Sequence, residues 1–407
     1  MKRYTAKIVV IINLLLLWSL PIIAQETVSI YAHVGWKPSL DIQLTLFAEN
    51  RPDVDVSVSY FIAEEYNEKL VLAAAGGAMP DIFMLDSPDV GRWFSSGHLA
   101  SLDRLIDQEV LANVVPAALN MGTVDGRLVA LPVQLPAYTI WYYNADLFYE
   151  AGAELPQTWD DLYELGRVFR QVNSEGVQTR YALGLYTGGG WEGGWRSWQY
   201  LWQNRTDAFL DDLSRADLNT TKVRESLRHL QQLTQDSIAT GDYFGRFLNG
   251  DVAMIVEGVW TLDFLISQEN FELGVMAAPP IPTDGVAAVQ GSGWMIGLNQ
   301  GASPMAADVL RSIYTAEFDA NRAVQIPPPT FQSNVEDYVS NARAIGTGPV
   351  VERALNYLNH IHPFPAHSQT VRIVQTLGDM FTRVFQGNDI NQVIEDATTQ
   401  LNNLISE

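Results

Sequence analysis

The sequence predicts an α/β protein built as two lobes, and three observations carry that prediction. Short apolar runs alternate with amphipathic helical stretches from residue 28 to residue 85, the pattern of a parallel sheet covered by helices. A second alternation of the same kind spans roughly 138–287. Extended, punctuated segments separate these blocks: Pro132 with Pro136, then Pro279, Pro280 and Pro282 ahead of Gly291, then Pro327-Pro328-Pro329. Proline fixes its own φ and restrains the residue before it, so such segments suit connections between lobes.

In the first block, residues 28–32 read as a strand, followed by His33-Val34-Gly35-Trp36. A helix from about residue 39 presents Leu40, Leu44 and Phe47, and Pro52 closes it. Residues 53–60 alternate, with Val54, Val56, Val58 and Tyr60 on one side and Asp55, Ser57 and Ser59 on the other. The helix of Tyr66, Leu70, Ala73 and Ala74 ends at Gly76-Gly77, where a left-handed residue is needed. Residues 82–85 form an apolar run suited to a strand buried on both faces.

In the second block, 139–143 reads as a strand, and Thr158 with Asp161 forms a capping box for the helix of Leu162, Leu165 and Phe169. Residues 182–185 and 252–256 are further strands, and Val223, Leu227, Leu230 and Leu233 mark a helix between them. A strand over 295–298 and a helix over about 303–318 restart the pattern. The tail from about 350 is helical, ending on Ile390, Val393, Ile394, Leu401 and Leu404.

The N-terminus carries Lys2, Arg3 and Lys7, an apolar run over 8–20 broken only by Asn13 and Ser19, and then Pro21-Ile22-Ile23-Ala24. This is the pattern of a cleaved secretory signal peptide over 1–24, too short for a membrane span. A soluble, periplasmic or otherwise extracytoplasmic monomer is expected. With no cysteine anywhere, disulfides, thiol chemistry and lipid attachment through a cysteine are all excluded. A formal net charge of −22 disfavours nucleic acid and anionic membranes as partners but identifies no ligand.

Asp86, Ser87, Asp89 and Trp93 follow the strand 82–85 at its carboxyl end, where open α/β sheets place ligands. A carboxylate beside an aromatic ring suits a polar molecule with apolar faces, and a sugar is such a molecule. Asp86 offers acceptors to vicinal hydroxyls; with Ser87-Pro88 after it, it equally suits a helix N-cap. Trp191, Trp195, Trp198 and Trp202 are spaced four, three and four apart, one stripe if 195–203 is helical. Trp198 and Trp202 are expected in the core. Trp191 and Glu192 lie within Gly188-Gly189-Gly190-Trp191-Glu192-Gly193-Gly194, where a regular helix is not expected. Both are expected to face a cleft.

The motifs recur in a recognisable order. Tyr66-Asn67-Glu68-Lys69-Leu70, AAAGGAMPD at 73–81, Gly97-His98-Leu99 with Leu102, Leu131-Pro132 and Tyr143-Asn144 with Leu147-Phe148 come first. Ala151-Gly152, Pro156, Thr158-Trp159-Asp160-Asp161-Leu162, FLNGD at 247–251, Ala253-Met254, Gly258, Trp260, the prolines at 279–282 and Gly291-Ser292-Gly293-Trp294 follow. This succession resembles the extracellular solute-binding proteins of family 1, the maltose/maltodextrin-binding-like receptors of ABC importers.

The resemblance implies a two-lobed periplasmic-binding-protein-like fold of type II, each lobe a mainly parallel sheet flanked by helices, with hinge crossovers. Lobe I then combines 25–134 with 291–328, and lobe II combines 135–290 with 329–407. It implies capture of a neutral sugar or oligosaccharide between the lobes and delivery to ABC permease subunits. By position, Trp36 and the sugar-stacking Trp260 resemble ligand contacts, as do Gln134 and Tyr138 in the first crossover. Ser292 and Trp294 mark the second crossover, where Ser292 interrupts a frequent Gly-Gly pair. Arg372 and His367 lie near a tail position that touches ligand in relatives, although this sequence has no tryptophan there.

Two rival readings remain open at this level. A secreted glycosidase would use two carboxylates, and Asp86, Glu192 and Glu257 are available, but no local motif marks an acid or nucleophile. A receptor feeding a membrane sensor fits the same residues. No metal or cofactor is expected: His360, His362 and His367 match no zinc spacing, and 188–190 lacks the lysine and helix start of a phosphate loop.

Overall fold

A computed structural model describes residues 26–135, 137–210, 214–323, 328–362, 364 and 369–406. Two sheets organise the chain. In the first, Glu26–His33 pairs in parallel with Val54–Phe61 on one side and Ile82–Asp86 on the other. Trp294–Leu298 then runs antiparallel onto Ile82–Asp86, setting Trp294 opposite Asp86, and Leu131–Pro132 closes the edge. Val28, Ile30 and Ala32 alternate inward, and Ile82, Phe83, Met84 and Leu85 are all buried because both faces of that strand are covered. The helix Ala63–Ala75 is pinned to the sheet by Tyr66. Its hydroxyl donates to the Met84 carbonyl (2.7 Å), with the Tyr31 carbonyl at 2.9 Å. Gly77, with φ of 66°, turns the chain out of that helix.

In the second sheet, Gln178–Gly184 runs parallel to both Ala239–Thr240 and Val252–Gly258. Ala137–Asn144 lies antiparallel to Val252–Gly258, Leu273–Val275 and Val289–Ser292. Ile361–His362 completes the order, parallel to Val289–Ser292. The capping box of Thr158 and Asp161 forms as the sequence predicts and starts the helix Trp159–Phe169.

Each sheet has its own apolar core. One draws on residues of 28–133, 295–318 and 331, the other on residues of 138–289 and 342–404. Phe331 packs with the first group and Ala342 with the second. The last passage between them therefore runs along the helix Gln332–Ala344, beyond the change expected at 329.

Two expectations about helices are corrected. The stretch read as 303–318 is two helices, Pro304–Ile313 and Ala316–Ala323. Tyr314 leaves the helical region at ψ of 75°, and the Thr315 hydroxyl caps the new start by accepting from the Phe318 N–H. The glycine-rich stretch expected to be irregular forms the helix Gly190–Ser197. Its glycines serve close packing: a Cβ on Gly194 would fall onto the Val374 carbonyl, and one on Gly378 onto that of Gly190. Only bare backbones let this helix and Thr370–Phe385 approach so closely. Among the described residues, no helix is long and apolar enough to cross a membrane.

Candidate functional site

The carboxyl ends of Ile82–Asp86 and Val252–Gly258 both lead to the junction of the two sheets. Beyond the first strand, Asp86 is half-buried, and its carboxylate caps the turn Ser87–Asp89 by accepting from the Ser87 N–H at 2.9 Å. Burial, reinforced by the neighbouring Asp89 charge, pushes the Asp86 carboxyl up to about 7. Hydrogen bonds from the Ser87 N–H and the Ser292 hydroxyl pull the other way. Asp89 is itself buried and paired with Arg92 at 3.0 Å.

Beyond the second strand stands an aromatic wall. Trp260 is 41% exposed, with its ring folded back over Gly258, where any Cβ would fall within the ring. Trp195 lies beside it, with ring centroids 5.5 Å apart. The Arg196 guanidinium sits 5.6 Å from the Trp260 ring and 5.4 Å from the Tyr186 ring. Arg196 in turn bonds Glu192 at 2.5 Å and the buried Glu257 at 2.7 Å. Glu257 also accepts from the Tyr243 hydroxyl (2.6 Å) and the Gly258 N–H (2.7 Å). Burial works against the Arg196 charge, but Glu257 and Glu192 outweigh it and raise its pKa above the ordinary value. The plate is thus held in place before any ligand arrives, and one lost contact does not release it.

The two walls meet across a crevice. The turn Ser87–Asp89 packs against the helix Thr370–Phe385 of the other sheet. On one side of this contact lies a cavity of about 270 Å³ between Ser87, Pro88 and Gly91 of the first lobe and Gly291 and Phe364. On the other lies one of about 330 Å³, between Asn67, Glu68 and Asp89 and the facing Gln369 and Arg372. Trp195 donates its indole N–H to Ser292 at 2.9 Å. A larger cavity of about 710 Å³ is lined by Trp202, Asp207 and His362 among other residues of the second lobe.

Residues 27–311 match the family of bacterial extracellular solute-binding proteins. The chain belongs to that family. The Rhizobium radiobacter lactose-binding protein is 23% identical over 308 residues, covering 70% of each chain. Among solved structures, the cyclic α-maltosyl-1,6-maltose binding protein from Arthrobacter globiformis is 23% identical with a TM-score of 0.74, covering 93% of this chain and 98% of that one. The sugar-binding protein MalE from Xanthomonas citri is 17% identical with a TM-score of 0.75, covering 93% and 97%. Likeness at this identity establishes the two-lobed periplasmic-binding-protein fold.

Within this solute-binding protein, the residues picked from the sequence separate into groups. Trp260, Trp191, Glu192, Asp86, Trp294, Gln134 and Arg372 all keep accessible surface. Trp191 packs on Phe364, with centroids at 5.7 Å, beside the first cavity, and Arg372 lines the second. Gln134 lies on the crossover between Leu131–Pro132 and Ala137–Asn144. Trp294 shows one edge of a cluster it forms with His33, Trp36 and Tyr66.

Two residues must be corrected. Trp36 is 1% exposed, enclosed by His33 and Trp294 as a core residue of the first lobe. Tyr138 lies in the second core, stacked on Tyr357, and donates to the Ala354 carbonyl at 3.0 Å. Its strand is buried on both faces, so lying at a crossover does not give it access to the crevice. Ser292 is buried as well, its hydroxyl accepting from the Trp195 indole N–H. Trp198 and Trp202 are core, as expected. His367 lies outside the described residues.

Arg196, Tyr186 and Tyr243 escaped the sequence reading, and Glu257 appeared there only as a possible catalytic carboxylate. The spacing of Glu192 to Arg196 was a usable signal, because oppositely charged residues four apart pair on a helix. The glycines around it mask that signal by suggesting a loop.

Proposed function

We propose that this chain captures a neutral sugar or short oligosaccharide between its lobes outside the cytoplasm and delivers it to an ABC permease. The observation that carries this reading is Trp260: a large ring, exposed yet held against Arg196 and Trp195, the indole that also bonds Ser292 at the crossover between the sheets. Flat aromatic faces pack against the C–H faces of a pyranose, and a partly buried carboxylate accepts from hydroxyls. The Arg196 guanidinium behind Trp260 is balanced by two carboxylates, which suits a neutral ligand better than a phosphorylated one. The names of the lactose-binding and maltosyl-maltose-binding relatives point the same way.

Lobe I is assigned to 25–134 with 291–328 and lobe II to 135–290 with 329–407, allowing for the passage along the helix Gln332–Ala344. The ligand favours closure only through its differential affinity for the closed form, so contacts from both walls are required. Trp260, Trp191 and Glu192 serve from the second lobe, and Asp86, Trp294 and Gln134 from the first, with Arg372 at the rim. No bond is made or broken. Glu192 and Glu257 are both committed to Arg196, which disfavours their use as an acid and nucleophile pair. The first 24 residues act as a cleaved signal peptide, the mature chain carries no lipid, and it works as a monomer.

A thermal-shift screen of purified protein against mono-, di- and oligosaccharides, followed by calorimetry, tests the reading. Saturable stabilisation by a neutral sugar without turnover is expected. Stabilisation by phosphorylated sugars or amino acids alone, or hydrolysis of the bound saccharide, would overturn it.

A further inference from the structure

We infer that Phe364 is a specificity-determining residue that sets how long a saccharide the crevice accepts: its ring is the partition between the crevice and the larger cavity of the second lobe. The inference rests on the sugar-binding reading above and narrows it to short saccharides. Phe364 lines the crevice cavity of about 270 Å³, at the small end of the roughly 300–1,000 Å³ that ligand pockets span. The larger cavity, about 710 Å³, is lined by Ala288, Ile361 and His362, with Trp202 beside them. Two strands join these spaces. Val289–Ser292 and Ile361–His362 pair in parallel, and both chains run from residues of the larger cavity to Gly291 and Phe364 of the smaller.

What stands between the two spaces is aromatic. The Phe364 ring lies 5.7 Å from Trp191, 5.5 Å from Trp198 and 6.4 Å from Trp202, centroid to centroid. Trp202 lines the larger cavity and stacks on His362 at 4.2 Å. One phenyl ring therefore separates the crevice from that stack. Beside it lies an unmet polar group. Gln290 pairs with His362 in the strand register, which puts both side chains on the same face of the sheet. Gln290 is fully buried, and among the described residues neither its amide oxygen nor its amide nitrogen has a hydrogen-bond partner. Leaving such a group unpaired is costly, and a sugar hydroxyl can donate to the oxygen or accept from the nitrogen. With the Phe364 ring in place a ligand in the crevice stops short of this amide; with the ring removed, a further sugar unit reaches it.

The test titrates the full mature chain calorimetrically with glucose, maltose and maltotriose. Wild-type affinity should fall about tenfold or more at one step of this series, where the saccharide meets the Phe364 ring. Phe364→Ala should recover about tenfold for the longer sugar relative to the shorter one, the worth of one packed and hydrogen-bonded unit. Phe364→Tyr, which keeps the ring, should behave as wild type. Phe364→Leu should recover part of the gain, and it stands in if the alanine variant fails to fold. Adding Gln290→Leu to Phe364→Ala should abolish the recovery, whereas Gln290→Leu alone should leave the wild-type preference unchanged. Wild-type affinity that holds or rises through maltotriose, or a preference unmoved by Phe364→Ala, would overturn the inference. Acrylamide quenching of tryptophan fluorescence reads the partition without sugar, since loss of the Phe364 ring should uncover the buried Trp198 and Trp202. If none of the three sugars binds the wild type, the sugar reading fails and quenching decides the partition: increased in Phe364→Ala, it stands; unchanged, it falls.

Discussion

The two walls of the crevice use aromatic residues in opposite ways. On the first lobe, His33, Trp36, Tyr66 and Trp294 pack against one another, mostly edge to face, and Trp36 is sealed inside. Those rings build a floor, and the group proposed to meet a ligand there is the Asp86 carboxylate. On the second lobe, Trp260 stands out from the surface and is steadied by a guanidinium, a neighbouring indole and two carboxylates. The difference separates rings that serve as packing from a ring that stays accessible. What matters is whether each ring is held by other rings or by polar groups behind it.

The comparison breaks most visibly at Trp36. Trp36→Ala should destabilise the fold by about 3–5 kcal/mol in denaturant titration, because a buried indole is removed from a packed core. A loss below about 1 kcal/mol would mean the ring is not a floor element. Next comes the crossing that carries the second wall. Gly194→Ala should cost about 1–3 kcal/mol, since the added methyl meets the Val374 carbonyl and forces the two helices apart. Trp260→Ala should weaken sugar binding by about tenfold or more while leaving the unfolding free energy within about 0.5 kcal/mol of the wild type. Calorimetry and denaturation of one sample decide that contrast.

The smallest effect concerns pH. A carboxyl raised to about 7 in the folded state releases its proton later than in the unfolded chain, so it lowers stability as pH rises from about 4 to 7. Asp86→Asn should therefore raise the melting midpoint relative to wild type more at pH 8 than at pH 5. An equal offset at both would remove Asp86 as the group responsible.

Local signals in the sequence are legible, and long-range ones are not. The Thr158–Asp161 capping box, the stop at Gly76-Gly77 and the core placement of Trp198 and Trp202 were legible, because each depends on residues within a few positions of one another. Arg196 was not, since its pairing with Glu257 spans 61 residues. The glycines of 188–194 misled for a related reason. They serve the approach of a helix that begins at residue 370, and nothing in their own neighbourhood announces it. Tyr138 and Trp36 are expected at the crevice only through the family resemblance, and matching a relative's position along the chain says nothing of which face a side chain takes.

The central claim is that a sugar draws the Trp260 wall and the Asp86 wall together. The absence of native cysteine lets two be introduced without interference, at the exposed Ile42 of the first lobe and the exposed Val168 of the second. Spin labels there report the interlobe distance by pulsed dipolar spectroscopy. The account predicts a shorter, narrower distance distribution when a sugar binds, and loss of that change in Trp260→Ala at the same sugar concentration. An unchanged distribution in wild-type protein that calorimetry shows to be saturated would contradict it.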